Sequence, residues 1–376
     1  MKKVIALLLV LSLILCGCGS NEEPVVTTEA TTEATTEPTT EPTTEPTTVP
    51  TTEPAPVYFN PLNGEILDEP YTGRVIAVTI SNIPAALPHV DMTKADIFME
   101  MFVNGSIIRG LALYTDVSEA ESIGSVRSTR LMFNDIVQHY DAVLFHAGGS
   151  SQVLANARDR GIDNFNIDAW AAVDFGASFR DKDRNRSLGW EHCLMAIGPE
   201  LLNFAESNEV SLTQPEDKDY CLTFVEDGTP AGGEDAENIS VTITYRNTVK
   251  DTVMQYDAEA GKYVYNQYGK VMADGVTGEA ETFENVVIMF ADITTDGIYH
   301  VADFVAGGDG YYACGGKLIP IKWTCADEDS PFNFTTVDGE ELDFGMGRTY
   351  IAITTPGSNV TYSAAEPAAE TTEAAE

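Results

Sequence analysis

The chain has 376 residues, 59 acidic against 21 basic, for a formal net charge of −38 at neutral pH. Twelve of the acidic residues and two of the basic ones lie outside 57–362, so that segment carries −28. A surface with this balance repels nucleic acid and anionic head groups, which disfavours DNA or RNA as a partner and requires any anionic ligand to be met by a local basic cluster.

The first element belongs to no fold. "MKKVIALLLVLSLILCGCGS" sets two lysines before about a dozen apolar residues, too short for a membrane span and placed as a signal peptide. Leu15-Cys16-Gly17-Cys18 resembles the lipobox read by bacterial lipoprotein signal peptidase. Residues 1–17 are therefore expected to be cleaved, leaving Cys18 as a lipidated mature N-terminus. Cys16 fits less well, because Leu15 would then hold the position of the small residue. Acyl chains contribute about 0.8 kcal/mol per buried methylene, so such an anchor is effectively permanent. The expected location is the extracytoplasmic face of the cell membrane, with the lipid bilayer as a partner.

Residues 18–56 repeat Thr, Glu and Pro every four residues, a composition that cannot bury a core and reads as a disordered stalk. At roughly 3 Å per residue in polyproline II it could reach on the order of 100 Å. The tail, 363–376, has the same composition and is expected to be unstructured.

Periodic hydrophobicity begins after residue 57. "RVIAVTI" (74–80), "ADIFMEMFV" (95–103) and "IIRGLALYT" (107–115) predict strands, "RSTRLMFNDIVQHY" (127–140) a helix, "DAVLFHA" a strand, and "SSQVLANARDRG" a helix ending on Gly161. In the second strand, alternation sends Ile97, Met99 and Met101 to one face and Phe98, Glu100 and Phe102 to the other, leaving an acid among phenylalanines. Beyond about residue 210, "ISVTITYR", "TVMQYD", "KYVYNQ", "NVVIMFA", "YYACGG", "LIPIKWT" and "RTYIAIT" are short, β-branched and aromatic runs. The fold class that follows is α+β: an α/β sandwich-like domain over 57–210, then a mainly β domain over 211–362.

Four cysteines remain after the signal: Cys193, Cys221, Cys314 and Cys325. An even number outside the cytoplasm predicts two disulfides, with Cys314 and Cys325 paired across a turn and Cys193 with Cys221. No metal is expected, because there is no CxxC and His192 adjoins Cys193 too closely to share a tetrahedral site with it. "DKDRNRSLGWEH" (181–192) fails as a calcium loop, with Arg186 at the glycine position and His192 at the final glutamate position. No cofactor is expected.

The chemistry-bearing stretch is "AVLFHAGGSSQ" (142–152). A strand passing to a helix through Gly148, Gly149 and Ser150 leaves amides free at the helix start and lets a ligand approach the main chain; equally, Ser150 can simply cap the helix. Arg127 and Arg130, three apart on the predicted helix, join Arg109 as guanidiniums able to line one pocket or to pair with Asp96, Glu100 and Asp135. Glu100, His146 and His192 could assemble a general acid and base if they converged. Ser150 lacks the nucleophile elbow. In the β half, Trp323 and Tyr263, Tyr265, Tyr311 and Tyr312 suit either a glycan-stacking face or a core.

Several runs carry a family resemblance: "RVIAVTISN", "ADIFMEMFVNGSIIRGLALYT" and "SIGSVRSTRLMFNDIVQHYDAVLFHAGGS" in the first half, "VTITYRNT", "GGKLIPIKWT" and "VDGEELDFGMGRTYIAIT" in the second. They resemble the two domains of the YerB-like lipoproteins. The resemblance implies a two-domain, membrane-anchored lipoprotein and no defined activity. This chain departs from the pattern at Glu191-His192-Cys193, where Pro-His-Asn is expected, and at Asn104, where an acid is expected. Three functions follow: a binding module holding an anionic or glycan-containing envelope component through Arg109, Arg127, Arg130, Gly148, Gly149 and Ser150; an envelope hydrolase using Glu100 with His146 and His192; or a non-catalytic assembly factor. The first is preferred, and whether the chain is an enzyme stays open.

Overall fold

The computed structural model describes residues 56–365 apart from 217, 246 and 247. The signal peptide, Cys18, the stalk to residue 55 and the tail from 366 lie outside those residues.

The first three long strands form where the apolar runs predict them: β1 (Ile76–Ser81), β2 (Ile97–Asn104) and β3 (Ile107–Tyr114). The helix expected over 127–140 begins later, as α1 (Leu131–His139). Residues 127–130 are held extended instead. Arg127 N donates to Thr79 O (2.9 Å), Ala147 N to Arg127 O (2.9 Å) and Thr129 N to Gly148 O (2.9 Å). Arg127 and Arg130 therefore do not share a helix face: Arg130 is the N-cap, with φ −142° and ψ 164°. Next come β4 (Val143–His146), α2 (Ser151–Asp159) and β5 (Asn164–Asn166), a parallel βαβ unit.

The second half supplies β6 (Asn238–Tyr245), β7 (Thr248–Asp257) and β8 (Lys262–Gln267), then β9 (Asn285–Phe290), β10 (Asp292–Asp296) and β11 (Tyr299–Asp303). It ends with β12 (Gly308–Cys314), β13 (Lys317–Thr324), β14 (Thr349–Thr354) and β15 (Asn359–Ser363). β15 thus runs one residue into the stretch read as tail. Helices are confined to the first half among the described residues, as an α+β fold with a mainly β second part requires.

The two halves share one sheet of thirteen strands, whose central order is β13-β12-β9-β14-β2-β3-β1-β4-β5. The join is β14, parallel to β9 on one side and to β2 on the other. On one face, Phe98, Phe102, Ala112 and Tyr350 pack against Ile239, Val241, Met254 and Tyr265 of the second sheet, built on β6, β7, β8 and β15. On the other, Met99, Met101, Leu111 and Leu113 pack against Met132, Phe133, Ile136 and Val137 of α1. The alternation read from "ADIFMEMFV" is this division. Trp323, Tyr263, Tyr265 and Tyr312 are fully buried, so those aromatics build core rather than a glycan face.

Cys193, Cys221, Cys314 and Cys325 are free thiols, which overturns the two expected disulfides. The turn between β12 and β13 is only Gly315-Gly316: Cys314 pairs with Lys317 at its tip, whereas Cys325 lies past the Gly308–Trp323 pair at the open end. At about 3.3 Å of rise per residue the two are on the order of 20 Å apart, far beyond disulfide reach. Cys325 Sγ lies instead 3.5 Å from His139 Nδ1, and Cys193 Sγ donates to Trp190 O (3.2 Å). Residues 181–192 form no calcium loop either, since Asp181 caps the helix Lys182–Leu188 through Arg184 N (2.6 Å).

Candidate functional site

The extended segment 127–130 lies between the end of β1 and the turn after β4, and this brings the arginines to the Gly-Gly-Ser turn. Gly148, at φ +71°, adopts the left-handed conformation that favours glycine. Ser150 caps α2, its Oγ accepting from Val153 N (3.3 Å). A Cβ on Gly149 would stand 3.4 Å from Thr129 Cγ2, so the turn and the arginine segment are in contact. α1 also begins here, without a side-chain cap on its first amides. The starts of two helices and three arginines thus occupy one region.

Arg109 reaches it from β3, only 4 % exposed, and donates Nη1 to Ser128 O. Arg130 donates Nε to Asn104 Oδ1 (2.8 Å) and Nη1 to Thr129 O (2.7 Å), and its guanidinium lies 5.8 Å from the Tyr299 ring centroid. Among the described residues neither makes a salt bridge. Arg127 alone has an acid, Glu191, at 3.2 Å. Burial first, then the fields of Arg130 and Arg127, disfavour the charge on Arg109 and lower its pKa. Because a guanidinium does not give up its proton in proteins, Arg109 stays charged, with Glu191 and Tyr299 favouring that charge against burial and the two neighbouring cations. Asn104 adds no charge: the acid expected there would have neutralised Arg130.

The second half also reaches this region. β11 pairs with β2 at Tyr299 and Asn104, and Tyr299 packs with Leu131 and Val153 at the starts of α1 and α2. Gln152 Nε2 donates to Asp296 Oδ2 (2.6 Å), tying α2 to the end of β10.

Glu100 does not join this cluster. Its cross-strand partner is Gly110, whereas Arg109 pairs with Met101, so the two side chains leave opposite faces of the sheet. There Glu100, fully buried, forms an ion pair with Lys250 and accepts from Tyr350 (2.6 Å), Tyr265 (3.0 Å) and Thr252 (3.1 Å). His146 follows Leu144 onto the α1 side, its Nε2 3.1 Å from Asn164 Oδ1, and burial lowers its pKa. His192 is 9 % exposed, its pKa lowered by burial and then by Arg127. The arginines and the turn converge; the glutamate stands behind the sheet from His146.

Sequence reasoning missed Lys250, Tyr299 and Trp190. Lys250 had a signal, since Lys250, Thr252 and Met254 alternate onto the buried face of β7.

Comparison with known proteins agrees with this architecture. The N-terminal domain of DUF3048, a family described as protein of unknown function, matches residues 62–211, and its C-terminal domain matches 241–351. A protein of Bacillus subtilis (strain 168) named "Putative lipoprotein YerB" is 26% identical over 298 residues, covering 78% of this chain and 85% of YerB. A crystal structure of YerB protein from Bacillus subtilis aligns with a TM-score of 0.69 at 24% identity, over 81% of this chain and 99% of that one, a likeness of fold. With both domains matched in order and a relative spanning most of the chain, this protein belongs to the YerB-like DUF3048 family.

Proposed function

We propose that this protein is a lipid-anchored, extracytoplasmic binding protein that holds an anionic component of the cell envelope. The anion lies among Arg109, Arg127 and Arg130 against the Gly148-Gly149-Ser150 turn of the first domain (57–210), and the second domain (211–362) contributes Tyr299. The observation that carries this reading is Arg109: a buried guanidinium beside two others, with no salt bridge among the described residues, in a segment of net charge −28. Two helix N-termini add to the attraction, each favouring negative charge within its first turn. The anchor and the location rest on the Leu15-Cys18 motif and on the lipoprotein name of the Bacillus relative.

Inorganic phosphate tests the site. Titration of the full chain by calorimetry is expected to show saturable binding that weakens with salt, and Arg130→Gln is expected to weaken it about tenfold, the loss of one charge-assisted contact. Absence of saturable binding would defeat the reading.

A further inference from the structure

We infer that the ligand at the arginine cluster is a sparsely charged anionic glycan, one sugar ring of which stacks on Trp190. This inference rests on the anion-binding reading above.

Trp190 is 62% exposed, and an exposed tryptophan, as Trp170 also is, needs no explanation by itself. What distinguishes Trp190 is its mounting. The Arg180 guanidinium lies 3.9 Å from the indole centroid, and Arg180 Nη1 donates to Trp190 O (2.6 Å). Asp168 fixes that guanidinium with two hydrogen bonds, at 2.7 and 2.8 Å. Gly189, at φ +91° and ψ 168°, turns the chain in a conformation that a residue with a Cβ rarely adopts. One face of the ring is therefore covered by Arg180, and the exposed area belongs to the other face and the edge. An indole held rigid and presented to solvent is a stacking platform with little ordering left to lose.

The platform adjoins the anion site. Arg127 Nη1 donates to the carbonyl of Glu191 (2.7 Å), the residue after Trp190, and Nη2 reaches its carboxylate (3.2 Å). A ligand that displaced the Glu191 carboxylate from Arg127 would place its neighbouring ring over Trp190. Charge selects the kind of ligand. A segment at −28 repels dense polyanions, while three guanidiniums accept an isolated anionic group. A sugar chain with one acid group per two rings meets both conditions and offers C–H faces to the indole.

The test uses the full chain and four probes at one ionic strength: a hyaluronan tetrasaccharide, neutral chitotetraose, inorganic phosphate and oligothymidylate. The hyaluronan tetrasaccharide is expected to bind at least tenfold tighter than phosphate or chitotetraose, about the worth of one aromatic stack. Trp190→Ala should remove most of that gain and change phosphate affinity far less. If the tetrasaccharide binds no tighter than phosphate, or keeps its advantage in Trp190→Ala, the glycan inference is overturned while Arg130-dependent phosphate binding preserves the anion site. Tightest binding by oligothymidylate would also overturn it, in favour of a nucleic acid. If neither phosphate nor tetrasaccharide binds, both readings fall together.

Discussion

Glu100 and Arg109 lie on neighbouring antiparallel strands, one position out of register, and project from opposite faces of the central sheet. Each meets its burial differently. Glu100 is surrounded by Lys250 and three hydroxyl groups, whereas Arg109 has a carbonyl and two other cations, with Glu191 acting on it without a salt bridge among the described residues. The acid is committed to the interior, and the arginine is compensated only in part.

Glu100→Gln should accordingly be a stability variant. It leaves Lys250, 2 % exposed, without its counter-charge, and breaking a buried pair from one side costs about 3–5 kcal/mol. The urea midpoint is expected to fall, with phosphate affinity of the folded protein unchanged. Adding Lys250→Met should recover part of the loss. A variant that kept its midpoint and lost ligand binding would show that the two faces are functionally joined.

Asn104→Asp places a carboxylate where Arg130 now has a neutral acceptor at 2.8 Å. Neutralising that guanidinium is expected to weaken phosphate binding roughly fivefold, for an ion pair of about 1 kcal/mol, without lowering stability. Calorimetry and urea unfolding on the same preparation read both. Stronger binding would mean that Arg130 does not face the anion.

Acid should weaken the fold through His139. Burial above all, with the charges of Arg160 and Lys218, lowers its pKa to about 4 from 6.5. The unfolded chain therefore takes up a proton that the folded chain refuses. The contribution is full above pH 6.5 and is lost as pH falls towards 4, about 3 kcal/mol in all. His139→Gln lacks this titration, so the stability gap between wild type and variant at pH 7 should narrow at pH 5. A constant gap would assign the acid sensitivity to other groups.

Four free thiols predict insensitivity to reductant. Intact mass and thermal midpoint should not change on reduction, and Cys193, Cys221, Cys314 and Cys325 should all alkylate in denaturant without prior reduction. A gain of two hydrogens on reduction would reveal a disulfide.

Local pattern carried much of the fold. The two-residue alternation of β2 and the apolar runs of β1 and β3 were legible because each strand reports its own faces. The start of α1 was not, because "RSTR" suits a helix locally and Thr79 and Gly148, distant in sequence, bind its backbone in extended form. Arg109, Arg127, Arg130 and the glycine turn were legible as types of chemistry, and their meeting depended on that same extended segment. The partner of Glu100 lies 150 residues away, beyond any local period. The disulfide expectation failed on geometry: a two-residue turn sends Cys325 to the far end of its hairpin.

The pairing of β2 with β14 has a consequence for how the chain matures. During synthesis from the N-terminus, β2 emerges about 250 residues before the strand that flanks it, and until Thr349–Thr354 arrives its apolar edge offers unpaired amides and carbonyls to any neighbour. Each half is the other's protection against aggregation. A fragment cut near residue 210 would carry the arginines intact on a sheet with an open seam.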